Sequence, residues 1–445
     1  MKPPNANLAG TGTDIRTKLG AFTQTVETAF AKGEFGKSLA AARCALFDDL
    51  FRSLLPKQEG DSCVVAIGGY GRRMLALGSD LDLRWIFDRE SDRARLQSQA
   101  ETVLYPLWDL KVTVGHHLLS LDEALEQGRQ DISTATSLLD VRLLAGDPTM
   151  VRAMDDRVWG GLFSERYLSD FVERLEAELE GRHKRFGDSV FLLEPDVKNG
   201  TGGHRDLDAA RWVARARYAV PHEDMWSQLV RVGALLEREA REISQAEEFL
   251  WKVRNSLHRA AGRRSDRLTF DGQELLSREL GYIEGEGISA RSAAVERLMQ
   301  DYYRHARSVR RVREKLFERA KPTKRTSSQQ TDVGDGFYRF DAFIACRSTT
   351  ALQETPSLAL HALEKCVDHE ARLWPSLREQ IQQLAGDPVW CASLRNDPET
   401  PARFVALVST SRETKFPRGS VISELLEIGL VLAVIPEFEP VTGRV

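Results

Sequence analysis

The chain is poor in the features that assign proteins to specialised classes. Its five cysteines, Cys44, Cys63, Cys346, Cys366 and Cys391, are scattered among 445 residues and never fall in a C-x-x-C spacing. That pattern gives no disulfide framework. The N-terminus, MKPPNANLAGTGTD, lacks the apolar stretch of a signal peptide, and together these absences predict a reduced, cytoplasmic protein. The longest apolar run, Ile428 to Ile435, is far short of the roughly 20 residues that cross a bilayer, so no membrane span is expected. Nor does charge dominate: 62 Lys and Arg against 66 Asp and Glu leave a net charge of −4, which produces no field demanding nucleic acid or an anionic membrane.

What is present is a change of period. Ile15, Leu19, Phe22, Val26 and Phe30 recur at helical spacing behind Asp14, a candidate cap, and KSLAAARCALFDDLFRSLL continues as a second helix. CVVAIGG then reads as a buried strand stopped by glycine, and DLDLRWIF alternates. In that second strand Leu81, Leu83, Trp85 and Phe87 share one face, and Asp80, Asp82 and Arg84 share the other. The apolar face belongs to a core, which leaves the acidic face to line a cleft. KVTVGHHLL (111–119) is a third strand, reached through a helix over RARLQSQAETVLYPLWDL, with His116 and His117 read as structural. From about residue 131 nearly every segment reads as helix, SDFVERLEAELEGRHKRF among them, and the basic run 307–325 reads as an exposed helix. The expected class is α+β: a small mixed sheet followed by mostly helical domains. The expected divisions are an N-terminal helical extension (1–60), a sheet domain (61–150), a helical substrate-binding domain (151–321), a polar linker (322–336) and a mostly helical segment (337–445).

The chemistry is concentrated in GGYGRRMLALGSDLD (68–82). Asp80 and Asp82 lie two apart on a strand and point the same way, so their carboxylates can converge on a cation. Oxygen-only ligands suit Mg²⁺, which takes further ligands from substrate phosphates. Gly68 and Gly69 leave room for a bulky anion and offer amides to it, and Ser79 adds a hydroxyl. The pattern describes a nucleoside-triphosphate site. A second cluster, LEPDVKNGTGGHRDL (193–207), carries Lys198 and Arg205 on a glycine-rich loop before a helix that Asp206 is placed to cap. That basic pair can close on a triphosphate and stabilise departing pyrophosphate; an ordinary interhelical loop has the same composition. In VRNSLHRAAGRRSDR, Arg254 and His258 lie at i, i+4, which fits a solvated helix face or a contact with nucleotide or acceptor.

VVAIGGYGRRMLALGSDLDLRWIF resembles the nucleotidyltransferase signature of the DNA polymerase β-like superfamily, and specifically its PII-protein uridylyltransferase branch. LYPLWDLKVTVGHHLLSLDEAL, TATSLLDVRLLAGD, FLLEPDVKNGTGGHRDL and FLWKVRNSLHRAAGRRSDRLTFDGQELL resemble that family in order and spacing, so the likeness spans about residues 60 to 310 and continues weakly beyond. It implies Mg²⁺-dependent transfer of UMP from UTP to a tyrosine hydroxyl of a PII-type nitrogen-regulatory protein, with release of pyrophosphate. Asp80 and Asp82 would be the catalytic metal ligands, and Gly68, Gly69, Ser79, Lys198 and Arg205 would hold the nucleotide. UTP and a PII-like protein are the expected partners; nucleic acid and membrane are not.

The chain departs from the family's pattern in places. The family usually reads G-R-G-E-L after the tyrosine, where this chain has Gly71, Arg72, Arg73, Met74 and Leu75. An arginine usually ends the third strand, where Leu119 stands; an acidic residue is usual at Asn199, and an apolar one at His204. Two alternatives therefore stay open, an adenylyltransferase-type relative and a weakened module that binds nucleotide or PII protein. The superfamily often adds a third carboxylate from a later strand, and KVTVGHHLL has none, leaving Asp109 and Asp140 as the nearby candidates. Full-length relatives go on to a His-Asp phosphohydrolase domain and glutamine-sensing domains. No His-Asp dipeptide occurs in this sequence, so the expectation is the transferase half without uridylyl removal or glutamine sensing.

Overall fold

The computed structural model describes residues 8–55, 62–285, 287–321, 330–348, 350–410, 414–416 and 420–441. The chain divides into two compact units, one ending at Pro322 and the other beginning at Thr323.

In the first unit a long helix α1 (Leu8–Ala31) and helix α2 (Lys37–Leu54) precede the sheet. Helix α1 begins before Asp14, which sits inside it and pairs with Lys18 at 3.1 Å, so Asp14 is not the cap. The sheet has four strands: β1 (Ser62–Ala66), β2 (Leu81–Phe87), β3 (Val114–Ser120) and β4 (Arg142–Gly146). They lie in the order β3-β2-β1-β4, with β2 antiparallel to β1, β4 antiparallel to β1, and β3 parallel to β2. A four-residue helix, α3 (Gly68–Gly71), follows β1, and α4 (Arg93–Asp109) carries the chain across to β3. Strand β4 lies inside the stretch whose sequence reads as helical. It is five residues long and half-buried throughout, so neither alternation nor a continuous apolar run marks it.

Both faces of the sheet are covered. Leu81, Leu83, Trp85 and Phe87, all fully buried, join Val64, Ala66 and residues of α1, α2 and α4 in one core. On the opposite face Cys63, Val65, Ile67, Ile86 and Leu119 belong to a larger core built from the helical region. The alternation of β2 is thus as its sequence suggests, except that the Asp82–Arg84 face turns apolar at Ile86. The polar opening is confined to the end of β2 where Asp80 and Asp82 stand.

The helices of that region run α5 (Leu121–Gln130), α6 (Ile132–Leu138), α7 (Pro148–Leu162), α8 (Glu165–Phe186), α9 (His204–Tyr218), α10 (Met225–Arg231), α11 (Glu237–Ala261), α12 (Phe270–Glu279) and α13 (Ile288–Ala320). On α8 the stripe Val172, Leu175 and Leu179 is buried as its spacing requires. The basic run on α13 is not simply solvated: Arg313 reaches the buried Asp206 at 3.2 Å, and Lys315 pairs with the buried Glu239 at 2.8 Å.

In the second unit a further four-stranded sheet forms from β5 (Thr331–Gly334), β6 (Phe337–Phe340), β7 (Phe343–Cys346) and β8 (Arg372–Leu373). It shares a core with short helices through Phe337, Ile344, Leu360, Leu363 and Trp390. The segment 337–445 is mostly helical, as its sequence reads; what the sequence does not announce is the small sheet, because strands of two to four residues are too short for a period of two to register. Of the expected linker 322–336, residues 322–329 lie outside the described residues, and 331–334 form β5. Among the described residues no helix is long and apolar enough to cross a membrane.

Candidate active site

Strand β1 delivers the two glycines to the end of the sheet where β2 begins. Gly68 adopts the left-handed conformation, φ +58°, and a side chain there would point at Asp82, whose Oδ2 lies 3.9 Å from the position of the added Cβ. Gly68 and Asp82 therefore face one space. Gly69 does not: its missing Cβ would meet the Met74 carbonyl oxygen at 2.8 Å, and its own carbonyl accepts the Met74 amide at 2.8 Å. That glycine serves the turn, not an anion's bulk. Gly69→Val is accordingly expected to lose about 1–3 kcal/mol of stability, visible as a lower melting temperature, with normal nucleotide affinity in the fraction that stays folded.

The loop leading to Asp80 is pinned from two sides. Arg43 of α2 donates to the carbonyls of Ala76 and Ser79, the latter at 2.9 Å. Burial lowers its pKa to about 10, against the field of nearby Asp80. From α11, Asn255 accepts the Leu77 amide at 3.3 Å and His258 Nδ1 accepts the Gly78 amide at 2.9 Å. Ser79 is half-buried beside Asp80. Asp82 stands directly across from Gly115 in the β2–β3 register, and a Cβ on Gly115 would come within 2.8 Å of Asp82 Oδ1. The Asp82 carboxyl opens on the cleft yet has protein packed closely around it. Burial pushes its pKa up, and Asp80 adds to this, against Arg84, Arg205 and Lys198.

Two of those opposing cations, Lys198 and Arg205, belong to the second cluster, which thus lies within electrostatic reach of Asp82. Its loop is not a flexible flap. The Asp196 carboxylate accepts the amides of Lys198 at 3.0 Å and Asn199 at 2.7 Å, and the Val197 amide bonds to the Asp266 carbonyl at 2.8 Å. Gly202, at φ +78°, lies against the Ala306 carbonyl at a distance of 2.4 Å from its missing Cβ, so the loop is packed where the sequence suggests freedom. Asp206 is not the cap of α9, which starts at His204. It is fully buried, accepts the Gly202 amide at 2.9 Å and pairs with Arg313 and His183. Lys198 is half-buried; burial, then the nearby Arg254, Arg205 and Arg264, bring its pKa down to about 8. Arg205 is half-exposed and pairs weakly with Asp208 at 3.4 Å.

A lysine poised near 8 gives a testable pH dependence. In the free protein Lys198 is charged below that value and loses its charge as pH rises through it. The nucleotide term kcat/KM should fall above about pH 8, and Lys198→Arg should move the fall to higher pH. An unchanged profile in Lys198→Arg would remove Lys198 from nucleotide binding.

Arg254 and His258 do not lie on a solvated helix face: both are buried. Asp266 accepts from Arg254 Nε at 2.8 Å and from His258 Nε2 at 3.1 Å. Burial works to raise its pKa, but these partners outweigh burial and hold it far below the carboxylate range. With Nδ1 taking the Gly78 amide, His258 is a neutral imidazole, its pKa lowered first by burial. Of the third-strand histidines, His116 stacks edge-on against Trp85 and approaches Trp108, whereas His117 is exposed beside Arg84 on the Asp82 face.

The third carboxylate is not found where the sequence pointed. Asp140 is fully buried, bound by Arg72 and by Trp212 Nε1 at 2.8 Å, and burial raises it to about 6. Asp109 is exposed at the end of α4. Among the described residues no three His, Cys, Asp or Glu side chains gather at a metal-sized site. Asp80 and Asp82 still fit a hard divalent cation: both offer oxygen, Gly115 leaves space at the Asp82 carboxylate, and mutual repulsion is relieved by positive charge between them. The departures are absorbed structurally as well. Arg72 bridges Asp140 and Asp208, Leu119 is core, and His204 is buried against Trp251 and bonded to the Leu250 carbonyl at 3.1 Å.

Comparison with known proteins bears on this geometry. The family described as GlnD PII-uridylyltransferase matches residues 170–317. A bifunctional uridylyltransferase/uridylyl-removing enzyme of Rhodospirillum rubrum is 32% identical over 86% of this chain and 40% of its own length. One from Gluconobacter oxydans is 31% identical over 97% of this chain and 47% of its own. The chain belongs to the PII-uridylyltransferase family. It spans less than half the length of these relatives, and a third, from Aliivibrio fischeri, is 28% identical with 49% of its length covered. The matched helical region contains Lys198, Arg205 and the Asp266 cluster.

Several of these parts were not singled out from sequence. Arg43 is one of three cations on α2, Asp266 sits in an unremarkable basic run, and neither declares its partner. Gly115 could have been found: a glycine inside a strand marks a close approach.

Proposed function

We propose that this chain transfers UMP from UTP to a tyrosine hydroxyl of a PII-type nitrogen-regulatory protein and releases pyrophosphate. The supporting observation is that Lys198 and Arg205 lie within electrostatic reach of Asp82, two residues from Asp80, and that Gly68 is open towards the same carboxylate. In this reading the acceptor oxygen attacks the α-phosphorus, the bond from that phosphorus to the pyrophosphate oxygen breaks, and the hydroxyl proton passes to solvent. Lys198 and Arg205 bind the β- and γ-phosphates and offset the charge that grows on the leaving group. Gly68 admits the triphosphate beside Asp82. Asp80 and Asp82 would hold Mg²⁺, which when bound supplies charge neutralisation at the reacting phosphate. The rigid attachment of the Asp80 loop to Arg43, Asn255 and His258 keeps the carboxylates in register with the cations.

The test is pyrophosphate release with UTP, ATP, CTP or GTP in the presence of Mg²⁺ and a purified PII protein. Release with UTP that requires the acceptor supports the reading. A preference for ATP would move the chain to adenylyl transfer, and tight nucleotide binding without release would make it a binding module.

A further inference from the structure

Arg264 occupies a position that the proposed chemistry does not yet use. Its Nη1 lies 3.8 Å from Asp80 Oδ2, and its Nε donates to Asp266 Oδ2 at 3.3 Å. Its backbone is seated against Gly78, where an added Cβ would come within 2.7 Å of the Arg264 nitrogen. The guanidinium therefore rests on one of the two proposed metal ligands, anchored behind by the carboxylate that also holds Arg254 and His258. Everything around it is fixed: the 76–79 loop by Arg43, Asn255 and His258, and the 266–268 segment by bonds to Pro195 and Val197. The Arg264 side chain itself is half-exposed, and its contact with Asp80 is a loose one. It also stands among like charges, since Arg254, Arg205 and Arg264 all bear on Lys198.

We propose that Arg264 is a latch on the metal site. Without nucleotide its positive charge takes the place of a cation at Asp80. When the metal and the triphosphate enter together, the guanidinium leaves Asp80, keeps Asp266, and turns to the phosphates beside Lys198 and Arg205. This rests on reading Asp80 and Asp82 as the metal pair. Its consequence is an opposed effect: the same side chain works against the bare metal and for the metal–nucleotide complex. An arginine serving the fold alone would weaken both or neither.

The experiment uses Mn²⁺ as the probe, titrated without nucleotide and followed by the electron paramagnetic resonance of the free ion. Binding of UTP in saturating Mn²⁺ is measured separately by calorimetry. The full chain is compared with Arg264→Ala, Arg264→Lys and the Asp80→Asn, Asp82→Asn double variant. Arg264→Ala should bind Mn²⁺ alone roughly threefold more tightly, the scale of a half-exposed ion pair removed. It should bind UTP roughly tenfold more weakly, the scale of a lost charge-assisted hydrogen bond. Arg264→Lys, which keeps the charge, should lie near the parent for Mn²⁺ and between the two for UTP. Equal or weaker Mn²⁺ binding in Arg264→Ala overturns the latch. If the double variant binds Mn²⁺ as the parent does, the metal-site reading itself fails and the latch with it.

Discussion

Asp82→Asn is expected to reduce nucleotidyl transfer by about 10³-fold, the equivalent of roughly 4 kcal/mol of lost transition-state stabilisation, with no loss of thermal stability. The strand's alternation separates the two effects. Leu81, Leu83, Trp85 and Phe87 carry β2 in the core, and the Asp82 side chain takes no part in that packing. The sign of the stability change follows from the raised pKa, which is due first to burial. A carboxyl whose folded pKa lies above its unfolded one favours the fold when protonated, and that advantage is lost as pH rises through the folded value. At pH 7 the Asp82 charge is therefore a cost to the fold, and asparagine removes it. The melting temperature at pH 7 should hold steady or rise slightly. Asp80→Asn should lose activity similarly. Transfer above one tenth of the parent rate in the double variant would exclude these aspartates as metal ligands.

Gly115→Ala is expected to lower transfer roughly 10²-fold, the cost of misplacing a reacting group by about an ångström, while leaving most of the stability. The added methyl would lie 2.8 Å from Asp82 Oδ1 and no closer than 3.8 Å to any other group. Because that oxygen ends a side chain free to turn into the cleft, the collision displaces the carboxylate and spares the strand. Gly71→Ala provides the contrast, since its Cβ would stand 1.7 Å from the backbone oxygen of Asp140 and only a shift of the chain could relieve it. Activity and melting temperature measured on both variants should separate cleanly: Gly115→Ala impaired in transfer but folded, Gly71→Ala deficient in folding. Full activity in Gly115→Ala would mean that the Asp82 carboxylate acts from some other orientation.

The sequence exposed those parts of the site whose meaning is local. Alternation in DLDLRWIF identifies the buried face of β2, and the spacing of Asp80 from Asp82 needs no knowledge of what packs nearby. Gly68 and Gly69 look equivalent in sequence and are not, because the Met74 carbonyl that fills the space at Gly69 arrives through a turn whose path the sequence does not state. Long-range pairs were hidden for the same reason. Arg43 meets the Asp80 loop across 36 residues and His258 meets Gly78 across 180. Asp140 looked like a spare carboxylate until Arg72 and Trp212 were seen to hold it. Charge alone cannot distinguish a solvated aspartate from one neutralised by a residue brought in by the fold. The glycines of 200–203 likewise signal either freedom or crowding, and the packing against Ala306 and Val197 decides for crowding.

The central claim is that Asp80 and Asp82, faced by Lys198 and Arg205, transfer a uridylyl group to a protein tyrosine. Its most direct test is the intact mass of a purified PII protein after incubation with this chain, UTP and Mg²⁺, followed by mapping of the modified residue. The account predicts an acceptor heavier by one UMP per modified chain, carried on a tyrosine, and no mass change with the Asp80→Asn, Asp82→Asn variant. An acceptor of unchanged mass under conditions where UTP binds, or equal modification by the double variant, would contradict it.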